Sequence, residues 1–322
     1  MSTPARDYGG VEEYLEKVLE DCGEDTSGEV APGLPELGEG DPLRHALAVA
    51  TADGTEYSAG DDEHLFTIQS ISKPFVYALA IDDVGMERVQ RFVGMEPSGE
   101  AFNELSLEGE TGRPLNPMIN AGAIATHQLV DSDDHEPFGE GPERPERTEQ
   151  VRRRTARILD GLSAFAGRGL RIDGETAEDA SYRNLAIAHM LKTHQVLEVE
   201  PEEAVLGYDE QCAVLVTVRD IARMAATLAN NGLHPETGTR VVSERAARQT
   251  LSVMATCGMY DAPASGWRGS GSRPSRGSPA ASSECCLARW GWPPSPRAWT
   301  VPATASRARR CSSASPRTWA CT

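Results

Sequence analysis

"FTIQSISKPFVYALAIDDVG", residues 66–85, is the stretch on which the reading of this chain turns. An apolar strand end runs into a helix, and Pro74 marks where one becomes the other. Proline has no N–H and its ring clashes with the preceding turn, so it is tolerated only in a helix's first turn. The helix therefore starts close to Ser70–Ser72 and stops near Gly85, a residue suited to a C-terminal cap. Ser70 and Lys73 then stand at i and i+3 on the first turn and share a face, which puts the lysine within hydrogen-bond reach of the serine hydroxyl.

A serine hydroxyl is a weak nucleophile until a neighbouring base removes its proton. Lysine can be that base only where burial and the positive end of a helix depress its pKa. Lys73 is one of three lysines in the 322 residues, and it sits between "LFTIQSI" and "PFVYALA". An isolated Ser-x-x-Lys is common by chance and reads as well as an N-cap serine beside a solvated lysine, so the surroundings have to decide.

Upstream, "VEEYLEKVLE" (residues 11–20) places Val11, Tyr14, Leu15, Val18 and Leu19 on one helical face. "HALAVATADGTEYSAGD" reads as a β-hairpin turning at Asp53-Gly54. Downstream, helices are expected over 184–195 and 219–230, the second ended by Gly232, and another is expected to start with Ser243 as its N-cap. "DSDDHEPFGEGPERPERTEQ" (131–150) is acidic and carries Pro and Gly, the mark of a solvated loop inserted in the domain.

Charge divides the chain in two. Residues 263–322 carry nine arginines and a single acid, Glu284, or +8; the net charge of −18 therefore leaves −26 on residues 1–262. Such an acidic body repels nucleic acid and anionic membranes, and it suits high salt, where self-repulsion is screened. The N-terminal "MSTPARDYGGVEEYLEKVL" has no apolar signal region, and no run of about 18 apolar residues could span a bilayer, so a cytoplasmic location is expected. Cys22, Cys212 and Cys257 form neither a disulfide framework nor a metal-binding spacing, and no cofactor or metal is implied.

Seven blocks in order, "GEVAPGLPEL", "FTIQSISK", "VGMEPSGEAFN", "PLNPMINAGAI", "RNLAIAHMLK", "GYDEQCAVLVTVRDIARMAATLANNG" and "VMATCGMYD", resemble the serine-dependent glutaminases over about residues 28–261. That resemblance implies an α+β, serine β-lactamase-like fold, a helical cluster plus an antiparallel sheet with flanking helices. It implies hydrolysis of L-glutamine to L-glutamate and ammonia through a glutamyl ester on Ser70, with Lys73 as the base of a Ser-Lys dyad. Asn120 and Asn184 match positions that hold the substrate, and Tyr208 and Tyr260 match two active-site tyrosines. A homodimer or homotetramer is implied as well. An amino-acid substrate needs acceptors for its ammonium and donors for its carboxylate, and amide side chains supply both. A tyrosine near Lys73 can relay a proton to leaving ammonia.

The chain departs from the family pattern at two positions. Gly33 stands where a substrate-side tyrosine is usual, and Ala177 where a glutamate is. Glu178 fills the second role if the loop is one residue shorter, with Glu175 the poorer substitute. Other serine-lysine acyl hydrolases of the β-lactamase or esterase kind, and a non-catalytic remnant with a binding role, are the alternatives to a glutaminase.

Residues 263–322 hold all five tryptophans and four of the seven cysteines. The family continues at this point with a Lys-Ser-Gly-Val block that supplies a cation and an oxyanion-hole N–H, yet Lys192 is the last lysine here. Read one nucleotide out of frame from near residues 261–264, with permitted synonymous codons, the segment encodes PAKSGV, LPG, RLD and GN in that order, then an amphipathic helix. A glutaminase domain over 1–262 followed by an out-of-frame, unpacked tail over 263–322 is therefore expected. The C-terminal strands and last helix would be lost and activity impaired. A basic, disordered arm would explain the low complexity but not the hidden motifs.

Overall fold

The computed structural model describes residues 10–23, 44–98, 106–132, 147–174, 182–257 and 298–302. Helices and two small antiparallel sheets make an α+β architecture, the expected class. The first sheet joins β1 (Ala46–Thr51), β2 (Glu56–Gly60) and β6 (Ala298–Pro302) in the order β2-β1-β6. β1 and β2 form the expected hairpin, in register from Ala46↔Gly60 to Ala50↔Glu56. Its turn closes on Asp53, whose Oδ1 accepts from the Thr55 amide at 3.2 Å and the Thr55 hydroxyl at 3.0 Å.

β1 is buried on both faces, and its alternation sorts residues by size. Ala46, Ala48 and Ala50 meet Val218, Ala222 and Ala226 of helix α8 (Val218–Ala229). Leu47 and Val49, with Ala59, meet Leu15 and Leu19 of α1 (Val11–Gly23). Small side chains on one face let a helix lie close, while the larger ones on the other receive the amphipathic stripe read from "VEEYLEKVLE". β6 pairs antiparallel with β1 from Leu47↔Pro302 to Thr51↔Ala298, so these five residues of the tail form a strand where an unpacked tail was expected. The rest of residues 258–322 lies outside the described residues.

The second sheet, β3 (Phe66–Thr67), β4 (Arg171–Ile172) and β5 (Val214–Val216), has the order β3-β5-β4. From β3 the chain makes one 3-10 turn, Gln69–Ile71, and enters α2 (Ser72–Val84). Pro74 falls in the first turn of α2, and Gly85 at φ +79° ends it, both as read from the sequence. Every residue from Ser72 to Ile81 is buried, which makes α2 the central helix. Phe75 packs on Phe165 of α5 (Arg147–Ala166), ring centroids 5.2 Å apart. Ile221, Met224 and Leu228 of α8, and Val253 of α9 (Glu244–Cys257), belong to the same core. A second core joins α4 (Asn120–His127), α6 (Tyr182–Thr193) and α7 (Pro201–Cys212) through Ile124, Ile187, Leu191, Val205 and Tyr208. The short α3 (Met86–Phe92) follows α2. No described helix is long and apolar enough to cross a membrane.

Ser243 caps α9 as expected, its Oγ accepting from the Ala246 amide at 3.2 Å. α8 carries a capping box between Thr217 and Asp220. The acidic stretch 131–150 needs one correction: residues 147–150 are the first turn of α5, while 133–146 lie outside the described residues. α5 escaped the sequence reading because arginines and acids crowd its first half, so Val151, Ile158, Leu162 and Phe165 do not stand out as a stripe. α4 escaped it because "NAGAIATH" opens without a capping residue and has a glycine in its first turn.

Candidate active site

Lys73 is only 2% exposed, and its Nζ donates to the Met118 carbonyl at 3.0 Å and to Asn120 Oδ1 at 2.8 Å. Burial penalises the ammonium and brings its pKa from 10.5 down to about 7. The requirement set for a lysine base, desolvation on the first turn of a helix, is thus met by the position. Cys212, half-buried nearby, has its thiol pushed up to about 12 by desolvation and by the Asp209 carboxylate, and stays protonated.

A second asparagine delivers Met118 and Asn120 to this point. Asn116 Oδ1 accepts from the Met118 amide at 3.0 Å and the Ile119 amide at 3.3 Å, and its Nδ2 donates to the Glu96 carbonyl at 2.9 Å. The turn so fixed folds back against α4, where Gly122 is in the way of any side chain: a Cβ there would sit 1.8 Å from the Asn116 carbonyl oxygen. Gly122→Ala must push α4 off this turn. We expect it to cost about 3 kcal/mol of stability by urea denaturation; a loss under about 1 kcal/mol would mean the turn yields freely.

From Asn120 the polar contacts continue as a line. Asn120 Nδ2 donates to Asn184 Oδ1 at 3.1 Å, and Asn184 Nδ2 lies 3.4 Å from Asp209 Oδ1 on α7. Lys73, Asn120 and Asn184 thus come together although 47 and 64 residues separate successive members. Tyr208, next to Asp209 and 3% exposed, lies in the second core. Tyr260 and Glu178, like Glu175, Ala177 and Gly33, lie outside the described residues.

Ser70 sits half-buried in the 3-10 turn one helical turn before Lys73. The residue before it, Gln69, holds φ +50°, a left-handed conformation that a non-glycine residue keeps only when its surroundings impose it. Two contacts do so here: Gln69 Nε2 donates to Thr67 Oγ1 at 3.0 Å, and the Ser72 hydroxyl donates to the Gln69 carbonyl at 2.7 Å. Behind Ser72, Gln211 Nε2 donates to Ser72 Oγ at 2.9 Å, and Gln211 Oε1 faces His127 Nδ1 at 3.0 Å. Sequence reasoning did not single out Asn116, His127, Asp209 or Gln211. Their one available signal was polarity inside the apolar blocks "PLNPMINAGAI" and "GYDEQCAVLV" and next to them.

A protein-family model described as "Glutaminase" matches residues 28–267. Over 254 residues the chain is 50% identical to a glutaminase of Corynebacterium efficiens, a match covering 78% of this chain and 57% of that protein. A glutaminase of Corynebacterium glutamicum is also 50% identical over 254 residues, with 78% and 58% covered. The fold superposes on a crystal structure of Mglu in its glutamate form with a TM-score of 0.70 at 47% identity, covering 79% of this chain and 56% of that one. The chain thus spans less than three fifths of the length of these relatives.

Proposed function

Since the chain belongs to the glutaminase family and has its α+β, serine β-lactamase-like fold, we propose that its site is built to hydrolyse L-glutamine to L-glutamate and ammonia through a glutamyl ester on Ser70. The observation that carries this reading is the burial of Lys73 one turn after Ser70, its Nζ held by the neutral oxygens of Met118 and Asn120. An amine so placed, with its pKa brought down to about 7, is neutral in a large fraction of molecules near pH 7 and can accept a proton.

In this reading Lys73 takes the Ser70 Oγ proton as the oxygen attacks the side-chain amide carbon of glutamine. The leaving nitrogen receives a proton, by way of Tyr208 and Tyr260, and departs as ammonia. Water then attacks the ester, gives its proton to Lys73, and Ser70 Oγ takes a proton back as glutamate leaves. Asn120 and Asn184 hold the amino-acid end of the substrate, and Glu178 its ammonium. The product agrees with the glutamate form of the solved relative. A cytoplasmic homodimer or homotetramer suited to high salt completes the reading.

We also propose that residues 1–262 are the glutaminase domain and that 263–322 are read out of frame. The family match ends at residue 267, close behind that boundary. The chain as it stands then lacks the Lys-Ser-Gly-Val oxyanion donor and turns over glutamine poorly.

Covalent capture tests the site without needing turnover. Incubated with a diazoketone analogue of L-glutamine, the chain should gain one adduct on Ser70 by peptide mass spectrometry, and Ser70→Ala should gain none. A folded chain that is unlabelled, or labelled elsewhere, overturns the reading.

A further inference from the structure

We propose that Gln211 is a positioning residue for Ser70, bracing the strained turn that carries it through Ser72 and anchored in turn on His127. The proposal rests on the reading of Ser70 as the nucleophile. Ser72, Gln211 and His127 are 0%, 2% and 1% exposed, three polar side chains deep in the protein and far from any water that could replace a lost partner. They join end to end and finish on a backbone carbonyl, that of Gln69, the left-handed residue immediately before Ser70.

The direction of every hydrogen bond in this chain follows from that carbonyl. A carbonyl only accepts, so the Ser72 hydroxyl must donate to it. Ser72 Oγ then has only lone pairs to offer, so the amide nitrogen of Gln211 faces it. Gln211 Oε1 is left pointing at His127, whose Nδ1 must carry the proton. Burial, with the Arg154 guanidinium as a lesser cause, pushes the His127 pKa down to about 3, so the ring stays neutral and the polarity of the chain does not reverse. The ring's other edge lies on Gly207, where a Cβ would fall 2.4 Å from Nε2.

The anchoring elements make the brace stiff. α4 presents Asn120 to Lys73 from its first residue and His127 to Gln211 from its last. α7 presents Asp209 to Asn184 and Gln211 to Ser72. The pairing of β3 with β5, Thr67↔Leu215, brings residues 67–72 alongside the end of α7. Two helices thus hold the base by one end and the turn before the nucleophile by the other. Gln211 itself is placed on Ser72, behind the turn, so its action on the reaction passes through Ser72 and Gln69.

The test uses the full chain, with the diazoketone analogue as probe and the rate and concentration dependence of Ser70 labelling as readout. Gln211→Met keeps the side chain's length and loses both hydrogen bonds; Ser72→Ala cuts the chain one step nearer Gln69. Each should lower the limiting labelling rate by about 10- to 100-fold, the cost of a small misplacement of a reacting group. The half-saturating concentration should stay within about threefold, because substrate contacts are untouched. The double variant should be no slower than the slower single one, because both cut one chain. Hydrogen exchange of the peptide covering 69–73 should quicken in all three. Limiting rates within about twofold of the unsubstituted chain in folded variants, or losses that multiply in the double variant, overturn the proposal. Should Gln211→Met not fold, Ser72→Ala alone decides by the same rate criterion. If the unsubstituted chain is unlabelled at Ser70, the functional reading fails and this proposal with it; labelling at equal rates in all variants sinks the positioning role alone.

Discussion

Moving the reading frame by one nucleotide near residues 261–264 is expected to raise glutamine turnover by at least about 10²- to 10³-fold over the chain as it stands. That is the typical worth of a single oxyanion-hole donor, and the packing restored with it comes on top. The frame so recovered would end in the PAKSGV, LPG, RLD and GN motifs and an amphipathic helix in place of a segment with five tryptophans and nine arginines. Sequencing the coding DNA across codons 255–275, with an intact mass of the expressed chain, comes first. Ammonia release is then compared between the 322-residue chain, verified by mass, and the frame-restored one. If the gene itself holds the extra base, the expressed mass will not match 322 residues, and that protein should turn over glutamine. Equal turnover by the two chains would show that the Lys-Ser-Gly-Val block is dispensable, and it would sink this account of the tail.

Lys73→Met in the frame-restored protein should cost about 10⁴-fold in turnover, the upper range for removing a base that activates a nucleophile. The same lysine sets the pH dependence. With its pKa lowered to about 7, the active neutral amine forms as pH rises through that value, so turnover should climb between about pH 6 and 8. Stability moves with it, and the sign is definite. The unfolded chain holds the lysine proton up to 10.5, whereas the folded chain releases it at about 7; the folded state is therefore penalised fully below 7, and the penalty fades as pH rises from 7 towards 10.5. Lys73→Met removes the group, and its melting temperature should exceed that of the unsubstituted chain by more at pH 6 than at pH 9. A gain independent of pH would place the Lys73 pKa near its ordinary value. Turnover reduced less than about tenfold would take the base role from it.

Much of the scaffold was legible because its signals are local. Pro74 and Gly85 bracket α2, Asp53-Gly54 turns the β1–β2 hairpin, Ser243 starts α9, and the stripe at Leu15 and Leu19 meets Leu47 and Val49 as an amphipathic helix must. α5 was not legible, since charge on its outer face hides a sparse apolar repeat that only its neighbours reveal.

By itself the sequence placed Ser70 and Lys73 one turn apart at a helix start, because that rests on a short, fixed spacing; the seven ordered blocks, through their resemblance to the serine-dependent glutaminases, implied the α+β class, the family and a substrate role for Asn120 and Asn184. Only the tertiary structure decided what those residues experience. A lysine's spacing from a serine says nothing about desolvation; it is the packing of α2 at the centre of the core that strips water from Lys73 and lowers its pKa. Likewise Ser72 and Gln211 lie 139 residues apart, and Gln211 and His127 84 apart, so no pattern along the chain links them. They meet because β3 pairs with β5 and because a buried polar group must find a partner wherever the fold leaves it.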